Sequence, residues 1–229
     1  MEHDFLLAQS LINAGLLTEL EPDRIRNIAP TGAVLITCGD RDRFTGHLSG
    51  CQRIIPVHIL SLNGGALLLG DGIDERRKQI ILEDCVEAMH LKNLCFVFNL
   101  SHHPCGKSTA LGIDLRKNIL ANLEGKKALR EKLSQAKLPS KTGVLPIISI
   151  DWRSAPGDLQ SDTIRLYATG LRHRDGHREL FSPEAHIGIM KIFDIKKRPL
   201  GRFLFLSFFS TILFFRFIWN DDWSERQVL

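Results

Sequence analysis

Residues 94–106 read LCFVFNLSHHPCG, an apolar run that ends in a polar turn containing His102 and Cys105. A continuous apolar run of this length, closed by turn residues, is typical of a strand buried in a parallel sheet. Residues 74–91 lie just before it, and their apolar side chains recur at helical spacing. The sequence therefore predicts a helix followed by a buried strand, with two potential metal-binding side chains after the strand.

The same pattern of an apolar run closed by a polar turn occurs three more times along the chain. The runs are residues 33–37 before Cys38-Gly39-Asp40, residues 57–62 before Asn63-Gly64-Gly65, and residues 147–150 before Asp151. Residues 113–137 are charged and rich in Leu and Ala, which predicts one or two helices, and residues 163–168 predict an added edge strand. Strands that alternate with helices predict an α/β fold with a mostly parallel central β-sheet flanked by helices.

The N-terminal residues 4–17 are predicted to form a helix, because apolar side chains recur there at roughly helical spacing. Such a helix serves either as an arm on a neighbouring subunit or as a cover for the core of its own chain. Glu2 and Asp4 stand where a secretory signal would carry positive charge, so no signal peptide is expected.

Composition narrows the functional classes. The chain has 229 residues, of which 44% are hydrophobic and 24% charged, which excludes a wholly disordered chain and a multi-span membrane protein. Its net charge of +4 is too mild to favour a nucleic-acid partner. Five cysteines, an odd number, argue against a disulfide framework and favour a reducing, cytoplasmic compartment.

The last part of the chain changes character. A single domain is predicted for residues 1–195, followed by a hydrophobic Phe-rich segment at 196–229, within which residues 203–215 carry no charge. A membrane-spanning helix needs about 20 apolar residues, so residues 203–219 are short for a span. Three interpretations stay open: an interfacial or oligomer-buried segment, a membrane anchor, and an irregular tail.

The groups that follow the predicted strands carry the chemistry. Sites in open α/β sheets lie at the carboxyl ends of the strands, where Cys38, Asp40, His102 and Cys105 are all expected. Two thiolates and an imidazole suit Zn²⁺, with Asp40 or water as the fourth ligand. The alternative is that both cysteines are buried apolar residues and His102 is a loop histidine.

These residues resemble the β-class carbonic anhydrases. The resemblance covers about residues 30–155 and lies in three motifs. They are Cys38-Gly39-Asp40-Arg41-Asp42, the strand and turn HILSLNGGA at 58–66, and the unit CVEAMHLKNLCFVFNLSHHPCG at 85–106, which ends in His-x-x-Cys-Gly. It implies that fold, a zinc ion held by Cys38, His102 and Cys105, and Asp40 as a catalytic residue that ligates zinc when unpaired.

The resemblance further implies reversible hydration of CO2 to bicarbonate by zinc-bound hydroxide. It places Asn63, Gly64, Gly65 and Gly106 beside the ligands or the substrate, and it implies a homodimer or higher oligomer. The sequence departs from the family at position 42, where Asp replaces the arginine that pairs with the Asp40 position, and at Leu62, which also replaces an arginine. The alternative function is therefore a zinc-binding relative that no longer turns over and serves a binding or regulatory role.

A second motif, Cys105-Gly106-Lys107-Ser108-Thr109, looks like the end of a phosphate-binding loop. That motif requires Gly five residues before Gly106, where this chain has Ser101, so nucleotide binding is not expected. Lys107 and Ser108 are instead predicted to begin a helix, with their backbone amides near the zinc site.

Overall fold

A single sheet of six strands organises the described part of the chain, which comprises residues 1–40, 57–138 and 142–169 of a computed structural model. The strands are β1 (Leu17–Glu19), β2 (Ala33–Cys38), β3 (Val57–Leu62), β4 (Phe96–His103), β5 (Gly143–Asp151) and β6 (Ile164–Thr169). The helices are α1 (Glu2–Asn13), α2 (Pro22–Ile28), α3 (Glu75–Lys92), α4 (Gly106–Ala110) and α5 (Leu115–Gln135). Short 3-10 helices occupy Gly65–Leu69 and Trp152–Ser154.

The strand order is β1-β6-β5-β4-β2-β3. The neighbouring strands β5, β4, β2 and β3 run parallel to one another. Strand β6 is antiparallel to β5, and β1 is antiparallel to β6. This confirms the predicted α/β fold with a mostly parallel sheet, flanking helices and an N-terminal helix. One detail was wrong: β6 is not an edge strand, because Leu17–Glu19 pairs with its outer side. A strand of three residues is too short to show a hydrophobic pattern in the sequence.

Strand alternation sends side chains to two cores, one on each face of the sheet. Val34, Val97 and Val144 are aligned on neighbouring strands and pack against α3 and α5. Leu35 and its aligned neighbours point to the opposite face, where α2 contributes to the core. These strands are therefore apolar on both faces, which explains their continuous apolar sequences.

The long helices begin where aspartates cap them. Asp74 accepts a hydrogen bond from the backbone N–H of Arg77 at 3.1 Å, and Asp114 accepts one from that of Lys117 at 2.8 Å. Each carboxylate satisfies a backbone donor that the first turn of a helix leaves unpaired. The second cap fixes the start of α5, the helix that packs beneath β4.

Helix α1 packs on the core of its own chain. Phe5 is fully buried, and its ring centroid lies 5.3 Å from that of His103 and 5.8 Å from that of Trp152. Of the two predicted roles, the described residues show the cover for the chain's own core; a role as an arm on a partner stays a prediction. The helix spans Glu2–Asn13 rather than residues 4–17, because Gly15, at φ +72°, belongs to the turn that follows it.

Strand β4 is longer than its apolar run. It continues through His102 and His103, so His102 lies in the strand and not in the loop that follows it. Asn122 on α5 makes this possible: its side-chain amide donates toward the Asn99 carbonyl at 3.0 Å and the Ser101 hydroxyl at 3.0 Å. The buried polar positions of the strand thus have partners on the helix below.

Several predictions lie outside the described residues. They concern Arg41 and Asp42 of the first motif, the domain boundary at 195, and the Phe-rich segment at 196–229. Among the helices of the described ranges, none combines the length and hydropathy that crossing a membrane requires.

Candidate metal centre

The proposed ligands meet at one edge of the sheet. Strand β2 ends at Cys38 and its parallel neighbour β4 ends at His103, so both strands present their carboxyl ends to the same side. One residue, Pro104, separates β4 from Cys105, which directly precedes the first residue of α4. The topology therefore brings Cys38 close to His102 and Cys105, which are far away in the sequence.

Cys38, His102 and Cys105 form a compact group of ligand atoms. One atom of each, a sulfur or an imidazole nitrogen, lies within 4.8 Å of the other two, and all three residues are buried. A tetrahedral zinc ion with Zn–S bonds of about 2.3 Å holds two sulfurs about 3.8 Å apart, so the group is close to the required size. Two sulfurs and one nitrogen are also the donors that Zn²⁺ prefers, and the residues fit this ion.

The backbone fixes the orientation of His102. Its Nδ1 lies 2.8 Å from the carbonyl oxygen of Pro104, which can only accept a hydrogen bond, so Nδ1 carries the proton. In that tautomer Nε2 carries the lone pair that a metal requires. The side-chain amide of Asn118 on α5 donates to the His102 carbonyl at 3.0 Å and holds the end of β4 in place.

Backbone amides surround both sulfurs. Gly64 donates its N–H to Cys38 Sγ at 3.3 Å, and the N–H of Asp40 also donates to this sulfur. Cys105 Sγ receives the backbone N–H groups of Lys107 and Ser108. The helix begins at Gly106, one residue before the predicted start at Lys107, and the amides of Lys107 and Ser108 lie at the site as expected. Such donors stabilise thiolates, the form of cysteine that binds metals.

The pKa values of the two cysteine thiols shift in opposite directions, so that Cys105 keeps its proton and Cys38 loses its own more readily. A hydrogen bond from Cys105, together with His102 and the backbone amides, lowers the pKa of Cys38 to about 3, although burial opposes this. The same hydrogen bond raises the pKa of Cys105, because losing its proton would place two thiolates side by side, and burial adds to the effect. A cation bound between the sulfurs would take the place of this proton.

The turn Asn63-Gly64-Gly65 presses against the end of β2. Gly64 has φ +104° and Gly65 φ +46°, a region that side chains with a Cβ rarely adopt. A Cβ on Gly65 would lie 2.2 Å from both the Cys38 nitrogen and the Thr37 carbonyl carbon. Asn63 is exposed and lies beside Gly39, since a Cβ on Gly39 would be 3.0 Å from the Asn63 Oδ1. The predicted neighbours of the ligands are thus close to Cys38.

Asp40 lies at the mouth of the site. It is exposed and borders an open pocket of about 530 Å³ with Pro104, Cys105, Gly106, Thr109 and Ala110. Its carboxylate is not part of the three-residue ligand group found among the described residues. Its roles as fourth ligand and catalytic residue stay predictions, whereas Gly106 lines the same pocket as expected of a residue beside the ligands.

Other cysteines and histidines have different roles. Cys85 is fully buried in the core, and burial raises the pKa of its thiol to about 12. His103, next to the candidate ligand His102, is buried, because Phe5 of α1 covers its ring. Burial lowers the pKa of His103, and its Nε2 is 3.9 Å from Asp4 Oδ2.

Asn118 was not predicted as a site residue. Its signal in the sequence was available, because Asn118 and Asn122 are polar residues spaced four apart on the mostly apolar buried face of α5. Polar side chains at such positions need partners, and Asn118 finds one in the His102 carbonyl.

Comparison with known proteins gives matches among solved structures alone: no protein-family model and no curated protein matches the chain. It is similar to the β-carbonic anhydrase CafD of the filamentous fungus Aspergillus fumigatus, with 13% identity and a TM-score of 0.42 over 66% of this chain and 98% of that chain. For CafA of the same fungus, identity is 16% and the TM-score 0.38, over 71% and 83% of the two chains. For the carbonic anhydrase of Streptococcus mutans they are 13% and 0.32, over 72% and 95%. TM-scores in this range do not by themselves establish a shared activity.

Proposed function

We propose that the chain holds a zinc ion through Cys38, His102 and Cys105 and catalyses the reversible hydration of CO2 to bicarbonate. The observation that carries this proposal is the convergence of the three buried ligand atoms within 4.8 Å of one another. The substrate follows from the resemblance of the three sequence motifs to β-class carbonic anhydrases. Cys38 and the pair His102 and Cys105 lie more than 60 residues apart in the sequence, and a common ion is a reason for their ligand atoms to converge.

Each residue of the site has a distinct task in this proposal. A zinc ion held by Cys38, His102 and Cys105 would supply Lewis acidity, which makes hydroxide available near neutral pH. Gly64 and the amides that follow Cys105 hold the sulfurs, and the Pro104 carbonyl keeps His102 in the tautomer that leaves Nε2 for the metal. The pocket beside Cys105 admits the small substrate from solvent. Asp40, at its mouth, accepts a hydrogen bond from the reacting water.

A second function is favoured by one specific feature, the presence of Asp42 where the resembling family has arginine. Asp42 adds negative charge near Asp40 instead of a cation to pair with it. Without that partner Asp40 is free to ligate zinc and close the site, which would leave a zinc protein with a binding or regulatory role. Asp42→Arg separates the two functions: hydration that appears only in this variant identifies a degenerate relative, whereas hydration by the native chain excludes that reading.

The direct test is CO2 hydration by stopped flow at pH 7 and pH 9, on protein whose zinc content has been measured. We expect hydration in the zinc-loaded protein, none after chelation, and recovery when zinc is restored. A stoichiometrically loaded protein that is inactive at both pH values would contradict the catalytic proposal and support the binding or regulatory role. A protein that takes up no zinc would contradict both.

Assembly and location are further parts of the proposal. We expect a homodimer or higher oligomer, and light scattering of the purified full chain would test this by measuring the mass of the assembly. We also expect a reducing, cytoplasmic compartment. Association with membranes through residues 203–219 would appear as co-sedimentation of the full chain with lipid vesicles. A chain that stays in the supernatant would exclude this association.

A further inference from the structure

Lys107 contacts both halves of the candidate metal centre. Its backbone N–H donates to Cys105 Sγ. Its side chain crosses the Gly-rich turn, because Lys107 Cγ lies 3.1 Å from the position that a Cβ of Gly64 would occupy. Gly64 in turn donates its N–H to Cys38 Sγ. The Cγ of Lys107 thus lies against Gly64, whose N–H contacts Cys38 Sγ, while the backbone of Lys107 contacts Cys105 Sγ.

The ammonium group of Lys107 forms no ion pair with a carboxylate in the described part of the chain. Two other partly buried lysines pair with acids: Lys78 with Asp71, and Lys132 with Glu83 at 3.9 Å. Lys107 is also partly buried, yet no carboxylate of residues 1–40, 57–138 or 142–169 forms an ion pair with it. An ammonium group that forms no ion pair within the described residues is suited to an anionic ligand.

The chemistry of the centre creates a need for such a cation. A divalent ion held by two thiolates and a neutral imidazole has a net charge of zero, so an oxyanion arriving there leaves the site negative. Positions 42 and 62, which carry arginines in the resembling family, hold Asp42 and Leu62 in this chain. Lys107 is the cationic side chain that the described structure places against the Gly-rich turn of the site.

We propose that Lys107 binds the anionic ligand of this centre, a small planar oxyanion of the bicarbonate class, through its ammonium group. The choice of bicarbonate rests on the proposed function, whereas binding of an oxyanion beside the Cys38–His102–Cys105 group does not require turnover. An ammonium group binds such an anion as a point charge with rotatable donors, so the arginine variant should substitute for it in part.

The experiment titrates bicarbonate into the full-length protein loaded with Co²⁺, whose visible absorption bands report ligands at the metal without any turnover. We expect Lys107→Met to weaken bicarbonate binding by about tenfold or more, the loss expected when a charge-assisted hydrogen bond is removed. Lys107→Arg should stay within about threefold of the native protein. Lys127→Met is the matched control, because it removes one positive charge from an exposed position on α5 and should leave binding unchanged.

The zinc content of each variant shows whether a loss of bicarbonate binding reflects Lys107 itself or a disrupted metal site. All three variants should retain native zinc stoichiometry, since the side chain of Lys107 is not a ligand. Bicarbonate binding that is unchanged in Lys107→Met would overturn the proposal, as would a native protein that does not bind bicarbonate, or a loss of metal in Lys107→Met. Binding that depends on Lys107 in a protein that does not hydrate CO2 would support this proposal while contradicting the catalytic one. CO2 hydration in a protein whose bicarbonate affinity is unchanged by Lys107→Met would support the catalytic proposal and contradict the role of Lys107.

Discussion

Gly65 packs directly against Cys38: a Cβ atom on Gly65 would lie 2.2 Å from the Cys38 backbone nitrogen. The turn that supplies an N–H to the Cys38 sulfur can approach β2 only because this position has no side chain. The close contact thus connects the end of one strand with the turn after the next. It makes the geometry of Cys38, the first candidate ligand, depend on a glycine 27 positions later.

Gly65→Ala should disrupt the centre. The added methyl group would overlap backbone atoms of Thr37 and Cys38 that cannot move aside, so we expect the free energy of unfolding to fall by about 3 kcal/mol or more and zinc binding to be lost. Gly112→Ala is the control, because Gly112 also has a positive φ of +64° but has open space around it. It should cost about 1–2 kcal/mol and keep zinc. Equal effects in chemical denaturation would argue against the close contact.

Cys105→Ser should abolish stoichiometric zinc binding, because it removes one of two thiolate ligands from a three-residue group. Cys95→Ser changes a half-buried cysteine outside this group, whose sulfur lies 3.7 Å from the Thr31 hydroxyl, and should retain zinc. Elemental analysis of the two purified variants makes the comparison. Full zinc content in Cys105→Ser would refute the assignment of this ligand.

Asn118 and Asn122 should have separable effects although both are buried asparagines on α5. Asn118→Ala removes the donor to the His102 carbonyl, so we expect zinc affinity to fall by roughly tenfold, as for other residues that orient metal ligands. Asn122 donates to the Asn99 and Ile147 carbonyls, away from the ligands. Its alanine variant should lose about 1–3 kcal/mol of stability, since it leaves buried groups without partners.

Competition with a chromophoric chelator measures the affinities, and urea denaturation measures the stabilities. If Asn122→Ala weakened zinc binding as much as Asn118→Ala, the two residues would act through the general stability of α5, and the positioning role of Asn118 would be excluded.

The sequence predicted well those elements whose position follows from the pattern of apolar residues. Strands β2 and β3 and the ligand pairs around Cys38 and Cys105 follow from apolar runs and from the rule that sites form at strand ends. Where polar residues are buried, hydropathy failed: β4 continues through Ser101 and His102 because α5 supplies hydrogen bonds to it. Those partners lie about 20 residues away, and no local pattern identifies them.

The hydropathy of the sequence also did not predict how closely the Gly-rich turn approaches its neighbours. The glycines of the Asn63-Gly64-Gly65 turn were expected near the ligands, but the sequence did not show which of them excludes a side chain. The structure assigns that requirement to Gly65, and it also places the stem of Lys107 on Gly64. Both are properties of packing between β2, the turn and α4, which depend on backbone separation and not on residue type alone.

Lys126 should make the stability of the protein rise with pH on the alkaline side. It is 9% exposed on the buried face of α5, and burial, with a smaller contribution from Arg130, lowers its pKa from 10.5 to about 8. Between these values the unfolded chain binds a proton that the folded chain does not, so folding becomes more favourable as the pH rises from about 8 to 10.5. The gain corresponds to about 3 kcal/mol at most.

Lys126→Met tests this contribution, because the methionine side chain is of similar length and carries no charge. We expect the variant to lack the alkaline gain, so that the native protein becomes more stable relative to Lys126→Met between pH 7 and pH 10. Lys127→Met, one residue away and exposed, should follow the native pH dependence. Urea denaturation across this range gives the differences in unfolding free energy. If the native protein and Lys126→Met had parallel profiles, Lys126 would be charged in the folded state over this whole range, and burial would not have shifted its titration.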